Sequence, residues 1–285
     1  MIAPKALIFD LDGTLIDSLQ DIADAMNRVL TAQKLPSHSY AEYKEFIGRG
    51  LKNLVERCLP EDQQNEELQA SCHEALIREY SKHFVVKTDL YPGIRELLEQ
   101  ISLKYAGGQQ DSSPASHRTD SQAGTTSATP SAGITSATPS AGITCATPSA
   151  GITGAGAFAG TASTARHTKR FPMAILSNKA DEITQLIARQ LGLTAYFDLI
   201  LGATPRFPRK PDTQSSLYLA EQLGCRPAEV LYIGDSGVDM QTAKNAGMTA
   251  LGVSWGFRSR QELLDNGADY VVDTPAEILD LLKTN

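Results

Sequence analysis

Two aspartates, Asp10 and Asp12, stand two residues apart at the end of a short apolar run, with Gly13 and Thr14 behind them. Carboxylates so placed could act as a nucleophile and a proton donor. A glycine that lets the backbone turn sharply and a threonine hydroxyl could cradle a phosphate beside them. The plain alternative is an Asp-Gly turn whose acids are merely solvated. Three further clusters bear on the choice. Ser177-Asn178-Lys179 offers a hydroxyl, an amide and backbone N–H groups at an expected helix start, a natural phosphate site. Arg209-Lys210-Pro211-Asp212 brings cations into a proline-rich loop, and Gly234-Asp235-Ser236-Gly237-Val238-Asp239 supplies two more acids. Taken singly, Ser177-Asn178 also reads as a helix N-cap and Lys210 as an exposed loop lysine. All four clusters, however, fall at the ends of expected strands, where an open α/β sheet binds its ligands.

The elements that must carry these residues follow from periodicity. Ala6-Leu7-Ile8-Phe9 reads as a buried parallel strand that sends Asp10 and Asp12 out of one sheet edge. From Ser18 to about Phe84 the pattern is helical and contains no strand. Ile16, Leu19, Ile22, Ala23, Met26, Val29 and Leu30 share one face, Ser39 and Glu42 form a capping-box pattern, and Gly48-Arg49-Gly50 interrupts the run. Leu51 to Leu59 and then Leu68 to Tyr80 supply two further amphipathic faces. After Tyr91-Pro92-Gly93, helices and short apolar strands alternate to the end: strands at Met173–Leu176, Leu199–Leu201, Val230–Ile233, Thr249–Val253 and Tyr270–Val272. Gly192, Gly224 and Gly247 close the three middle helices. The expected fold is α/β, a doubly wound, mainly parallel, Rossmann-like sheet with an inserted helical domain. Residues 1–17 and 85–285 make the core and 18–84 the insertion.

Residues 105–169 differ in kind. Three near-identical nine-residue copies, Thr126–Ile134, Thr135–Ile143 and Thr144–Ile152, each offer one large apolar side chain among Thr, Ser, Ala, Gly and Pro. Such a segment cannot offset an ordering cost of roughly 1–2 kcal/mol per residue, so a disordered, low-complexity loop is expected. The 285 residues, 41% hydrophobic, suffice for a large core, and a net charge of -7 without a basic run argues against nucleic acid. Cys58, Cys72, Cys145 and Cys225 are widely spaced, which points to reduced thiols and not to a disulfide framework or zinc site. The five histidines show no ligand spacing. No run is long enough to span a membrane, and Met1–Lys5 leaves no room for a signal peptide, so a cytoplasmic protein is expected.

With Asp10-Leu11-Asp12-Gly13-Thr14, Ser177-Asn178, Lys210-Pro211 and Gly234–Asp239 in hand, the chain resembles the haloacid dehalogenase-like superfamily of phosphatases. Phe46–Gly50, Leu90–Gly93 and Val253-Ser254-Trp255-Gly256-Phe257-Arg258 are similar to its phosphoglycolate phosphatase branch. The resemblance implies that 18–84 is a mobile cap, that Asp10 is the nucleophile, and that Asp12 is the acid and then the base. It implies Mg²⁺ on Asp10, Asp235 and the Asp12 carbonyl, with Asp239 orienting a metal-bound water or Lys210. Lys210 would neutralise phosphoryl charge, and Thr14, Ser177 and Asn178 would help to hold the phosphate. Asp212 stands where the family usually has a second proline, and the repeat insert is foreign to it. The expected substrate is a small phosphorylated metabolite, first of all 2-phosphoglycolate, with the oligomeric state open. Arg49, a charge between two glycines, is a candidate for a substrate carboxylate, against the reading of a solvated loop arginine. Sibling readings are a pyrophosphatase, a sugar-phosphate phosphatase or a phosphomutase; a non-catalytic phosphoester-binding protein is the reading from another class. A dehalogenase is disfavoured, because that branch lacks an acid at the position of Asp12.

Overall fold

A computed structural model describes residues 3–106 and 171–283. The nine-residue repeats, Cys145, and nearly all of the 105–169 insert lie outside the described residues. The first strand, β1 (Ala6–Phe9), is the pivot of a six-stranded parallel sheet. On one side of it lie β4 (Met173–Ala180) and β5 (Leu199–Ala203); on the other lie β6 (Val230–Gly234), β7 (Thr249–Val253) and β8 (Tyr270–Val272). A two-stranded antiparallel ribbon, β2 (Ile16–Asp17) and β3 (Asp89–Leu90), stands apart from this sheet.

Alternation of side chains explains why the central strands are apolar throughout. Leu7, Phe9, Met173, Ile175, Leu231 and Ile233 join one core cluster, whereas Ala6, Ile8, Ala174, Leu176, Val230 and Tyr232 join the other. Each strand therefore feeds a core on both faces, as a sheet covered on both sides requires. Helices α7 (Gln214–Gln222), α8 (Gly237–Asn245) and α9 (Arg260–Asp265) contribute to the second cluster. Helices α5 (Ile94–Ala106), α6 (Asp181–Gln190) and α10 (Pro275–Lys283) contribute to the first. That first cluster runs on without a break into the helices between β2 and β3. These are α1 (Leu19–Ala32), α2 (Tyr40–Phe46), α3 (Leu51–Cys58) and α4 (Glu66–Tyr80).

The expected local signals operate. Ser39 accepts from the Glu42 amide while Glu42 accepts from the Ser39 amide, which satisfies two of the free donors at the start of α2. Gly192, Gly224 and Gly247 take φ of 73°, 71° and 72° after their helices, the left-handed stop. Three local expectations are corrected. Ile16, assigned to the face of α1, instead pairs with Leu90 where the chain leaves the core and returns to it. Strand β4 runs on to Ala180, because Ala180 pairs with Ala203 beyond an irregularity in register. Helix α6 therefore begins at Asp181 with Ala180 at its N-cap position, and Ser177-Asn178 is extended chain and not a helix start. Helix α8 begins three residues earlier than its apolar pattern suggested, at Gly237, because Ser236 and Asp239 form a capping box there.

Candidate active site

Sheet register gathers the four clusters. Phe9 pairs with Ile175 on one side and with Ile233 on the other, so Asp10 and Asp235 emerge at adjacent strand ends beside Ser177 of β4. The Asp10 amide donates to the Ile233 carbonyl at 2.8 Å, which extends the ladder one residue past the strand. The loop beyond is anchored from inside: Leu11 and Leu15 are wholly buried, and the Thr14 and Leu15 amides both donate to the Leu11 carbonyl. Gly13 has φ of 87°, and a Cβ there would lie 2.2 Å from Asp235 Oδ2. Only glycine suits both demands.

Lys210 is the hub of one wall. Its Nζ donates to Asp10 Oδ1 at 2.7 Å, to Asp239 Oδ1 at 2.8 Å and to the Leu176 carbonyl at 3.1 Å. Asn178 holds the lysine's main chain at both ends, since its Oδ1 accepts from the Lys210 amide and its Nδ2 donates to the Lys210 carbonyl. Asp235 accepts from the Phe257 amide at 2.7 Å, and Thr14 Oγ1 faces its other oxygen at 3.4 Å. Asp10, Asp235 and Asp239 bring carboxylate oxygens within 4.8 Å of one another, all buried.

One ammonium cannot neutralise three such acids. Burial, then Asp239, raises the Asp10 carboxyl well above its ordinary range despite Lys210. Burial and Asp239 likewise push Asp235 up to about 7, against the Phe257 amide, Arg258 and Lys210. Burial works against the Lys210 ammonium, but Asp10 and Asp239 outweigh it and hold the lysine charged. The surplus is negative, and the donors are all oxygen, a set that suits a hard divalent cation.

A second wall centres on Asp12. Its Oδ1 accepts from Ser18 Oγ and lies 3.2 Å from Lys179 Nζ, which also donates to Tyr80 Oη at 2.9 Å. Lys179 sits 4.6 Å from the centre of the Tyr80 ring, and both residues are buried. Between the two walls lies a cavity of about 50 Å³. Asp10, Asp12, Ser177, Asn178, Lys179, Lys210 and Asp235 line it from the sheet, and Ile22, Ile47, Leu51 and Leu54 from the helical segment. Arg258 joins the two sides. Its guanidinium donates to the carbonyls of Lys44, Glu45 and Ile47 at the end of α2.

The structure thus brings together Asp10, Asp12, Ser177, Asn178, Lys210 and Asp235. Thr14 and Asp239 are fully buried behind the cavity and engaged with Asp235 and Lys210 respectively. Arg49 lines a neighbouring cleft with Glu45, Asn53 and Arg57, and not this cavity. Residues that sequence reasoning passed over are Ser18, Tyr80 and the role of Lys179. Lys179 adjoins Ser177-Asn178, and that adjacency was its one signal.

The chain is matched by a family. The family model of the haloacid dehalogenase-like hydrolases covers residues 7–107 and 162–253, more than half of the chain. The chain belongs to the haloacid dehalogenase-like hydrolase family. A phosphoglycolate phosphatase of Chromobacterium violaceum is 26% identical over 282 residues, 98% of this chain and 96% of the relative. One from Aquifex aeolicus is 25% identical over 281 residues, 99% and 98% of the two chains. A crystal structure of a predicted phosphoglycolate phosphatase from Haemophilus somnus superposes with a TM-score of 0.71 at 22% identity, covering 99% of this chain and 100% of that one. Family and full-length relatives together make the chain an enzyme of the phosphatase class. Among the described residues no helix is long and apolar enough to cross a membrane.

Proposed function

We propose that this chain is a Mg²⁺-dependent phosphatase that hydrolyses 2-phosphoglycolate to glycolate and inorganic phosphate through an aspartyl-phosphate on Asp10. The observation that carries the reading is the pairing of two acids at one small cavity. Asp10 is gripped by Lys210, and Asp12 stands on the opposite wall.

The chain's own residues supply the chemistry. A carboxylate oxygen of Asp10 attacks phosphorus, oriented by Lys210, which also offsets charge on the phosphoryl oxygens. As the bond from phosphorus to the ester oxygen breaks, Asp12 gives its proton to that oxygen and the alcohol leaves. Asp12, now a carboxylate, takes a proton from water, whose oxygen attacks the phosphorus; phosphate departs and Asp10 is restored. Ser177 Oγ and neighbouring amides hold the phosphoryl oxygens through both steps. Asn178 serves by fixing Lys210, and Thr14 by facing Asp235. Asp10, Asp235 and the Asp12 carbonyl, with Asp239 behind them, would hold Mg²⁺, which would supply the positive charge that lets a dianionic ester approach these acids. Residues 18–84 serve as the cap that excludes water, and the narrowness of the cavity favours a small ester. The substrate assignment draws on the names of the full-length relatives.

The test is turnover of a panel of small phosphate esters and of p-nitrophenyl phosphate, with Mg²⁺ and with EDTA. The expected result is metal-dependent turnover, with 2-phosphoglycolate the best ester and a loss of at least about 10³-fold in Asp10→Asn. Metal-independent turnover, or wild-type rates in Asp10→Asn, would overturn the reading. A better ester than 2-phosphoglycolate would overturn only the substrate.

A further inference from the structure

Both donors on Asp12 reach the same oxygen. Ser18 Oγ and Lys179 Nζ converge on Oδ1, and among the described residues no hydrogen bond falls on Oδ2. With Oδ1 engaged by Ser18 and Lys179, Oδ2 is the oxygen of Asp12 left to meet a leaving group. Lys179 is itself held: Tyr80 accepts from its ammonium and lays its ring beneath it. Ser18 lies where the chain enters the helical segment and Tyr80 ends that segment's last helix, whereas Lys179 belongs to the sheet. The three contacts therefore tie the carboxyl of Asp12 to both ends of the helical segment.

We infer that Lys179, seated by Tyr80 of the helical segment, is a positioning residue that presents the proton-bearing oxygen of Asp12 to the leaving group. The inference rests on the reading of Asp12 as the general acid given above. It makes productive seating of the helices a condition for proton delivery. When α4 moves away, Lys179 loses its Tyr80 partner and Asp12 loses its fixed orientation. Nucleophilic attack by Asp10 does not pass through this set, because Lys210 holds that residue from the opposite wall.

Leaving-group dependence separates this role from a merely structural one. An alkoxide needs protonation to depart, whereas p-nitrophenolate scarcely does. In single turnovers with enzyme in excess, Lys179→Met is expected to lose about 30-fold on the alkyl ester (2-phosphoglycolate or glycerol 3-phosphate, whichever the wild type turns over faster). On p-nitrophenyl phosphate it is expected to lose at most about threefold. Tyr80→Phe, which keeps the ring and its packing, is expected to show the same split at about threefold, and this variant carries the test if Lys179→Met does not fold. Asp12→Ala is the reference and is expected to show the largest split. Equal losses on both esters in the Lys179 and Tyr80 variants, with a split in Asp12→Ala, would overturn the inference alone. No split in Asp12→Ala would overturn the acid assignment, and this inference with it.

Discussion

The two walls of the cavity use the same device, a buried lysine on an aspartate, in different settings. Lys210 draws no partner from the helical segment: Asp10 follows β1, the Leu176 carbonyl belongs to β4, and Asp239 belongs to α8 beside β6. Lys179 reaches across to Tyr80 at the end of α4, and Asp12 is shared with Ser18 at the start of α1. The surroundings of Asp10 are therefore built by the parallel strands and α8, packed on two core clusters. The surroundings of Asp12 are completed by Ser18 before α1 and, through Lys179, by Tyr80 of α4. On the proposed mechanism this difference divides the labour: the sheet edge prepares attack by Asp10, and proton delivery by Asp12 waits on the helical segment.

The largest expected effect tests the rigid wall. Lys210→Met leaves Asp10 and Asp239 without their common cation, and kcat is expected to fall by about 10³-fold on alkyl and aryl esters alike. Single-turnover rates on both esters check this; a loss confined to the alkyl ester would erase the contrast between the walls. Next comes the metal-free protein. The raised carboxyl of Asp235, near 7 against 3.8 in the unfolded chain, means that the native state holds a proton the unfolded state has released. Its contribution is full below pH 3.8 and is lost as pH rises through about 7. Asp10 shifts in the same direction. Thermal unfolding with EDTA is accordingly expected to show a lower Tm at pH 8 than at pH 5, by several degrees. Mg²⁺ is expected to restore more at pH 8 than at pH 5. A metal-free Tm that does not fall over that range would break the picture of an undercompensated acid cluster.

The smallest effect concerns the joint between the walls. Arg258→Ala removes the guanidinium from the carbonyls at the end of α2, a contact on the rim of the site. We expect kcat/KM to fall about tenfold on the small ester while Tm changes by only a few degrees, since the hydrogen bonds lost are partly exposed. Steady-state kinetics beside a melting curve check it. An unchanged kcat/KM would mean that the helical segment is seated without Arg258.

Much of this is legible in the sequence. The alternation of short apolar runs with amphipathic helices specified the parallel sheet, and Asp10, Asp12, Lys210 and Asp235 announced themselves by type and by place at strand ends. The errors were local and have physical causes. Ile16 fits a helical period but lies in a ribbon closed by Leu90, a pairing that periodicity cannot see. Ser177-Asn178 resembles an N-cap, yet pairing with β5 keeps the chain extended to Ala180, four residues past Leu176.

Tyr80 shows the limit most clearly. In sequence it is one more apolar position on an amphipathic helix, and in the fold it is fully buried with its hydroxyl on Lys179, 99 residues away. Arg49 shows the converse, a charge between flexible glycines whose side chain lines the neighbouring cleft. Sequence alone determined the strands of the parallel sheet and which acids follow the first and fourth expected strands, because such properties follow from local periodicity and residue type. Only the tertiary structure decided which lysine meets which aspartate, and that one of those pairs depends on a helix from the inserted segment. Contacts between residues far apart in the chain are set by packing, and packing leaves no local mark in the sequence.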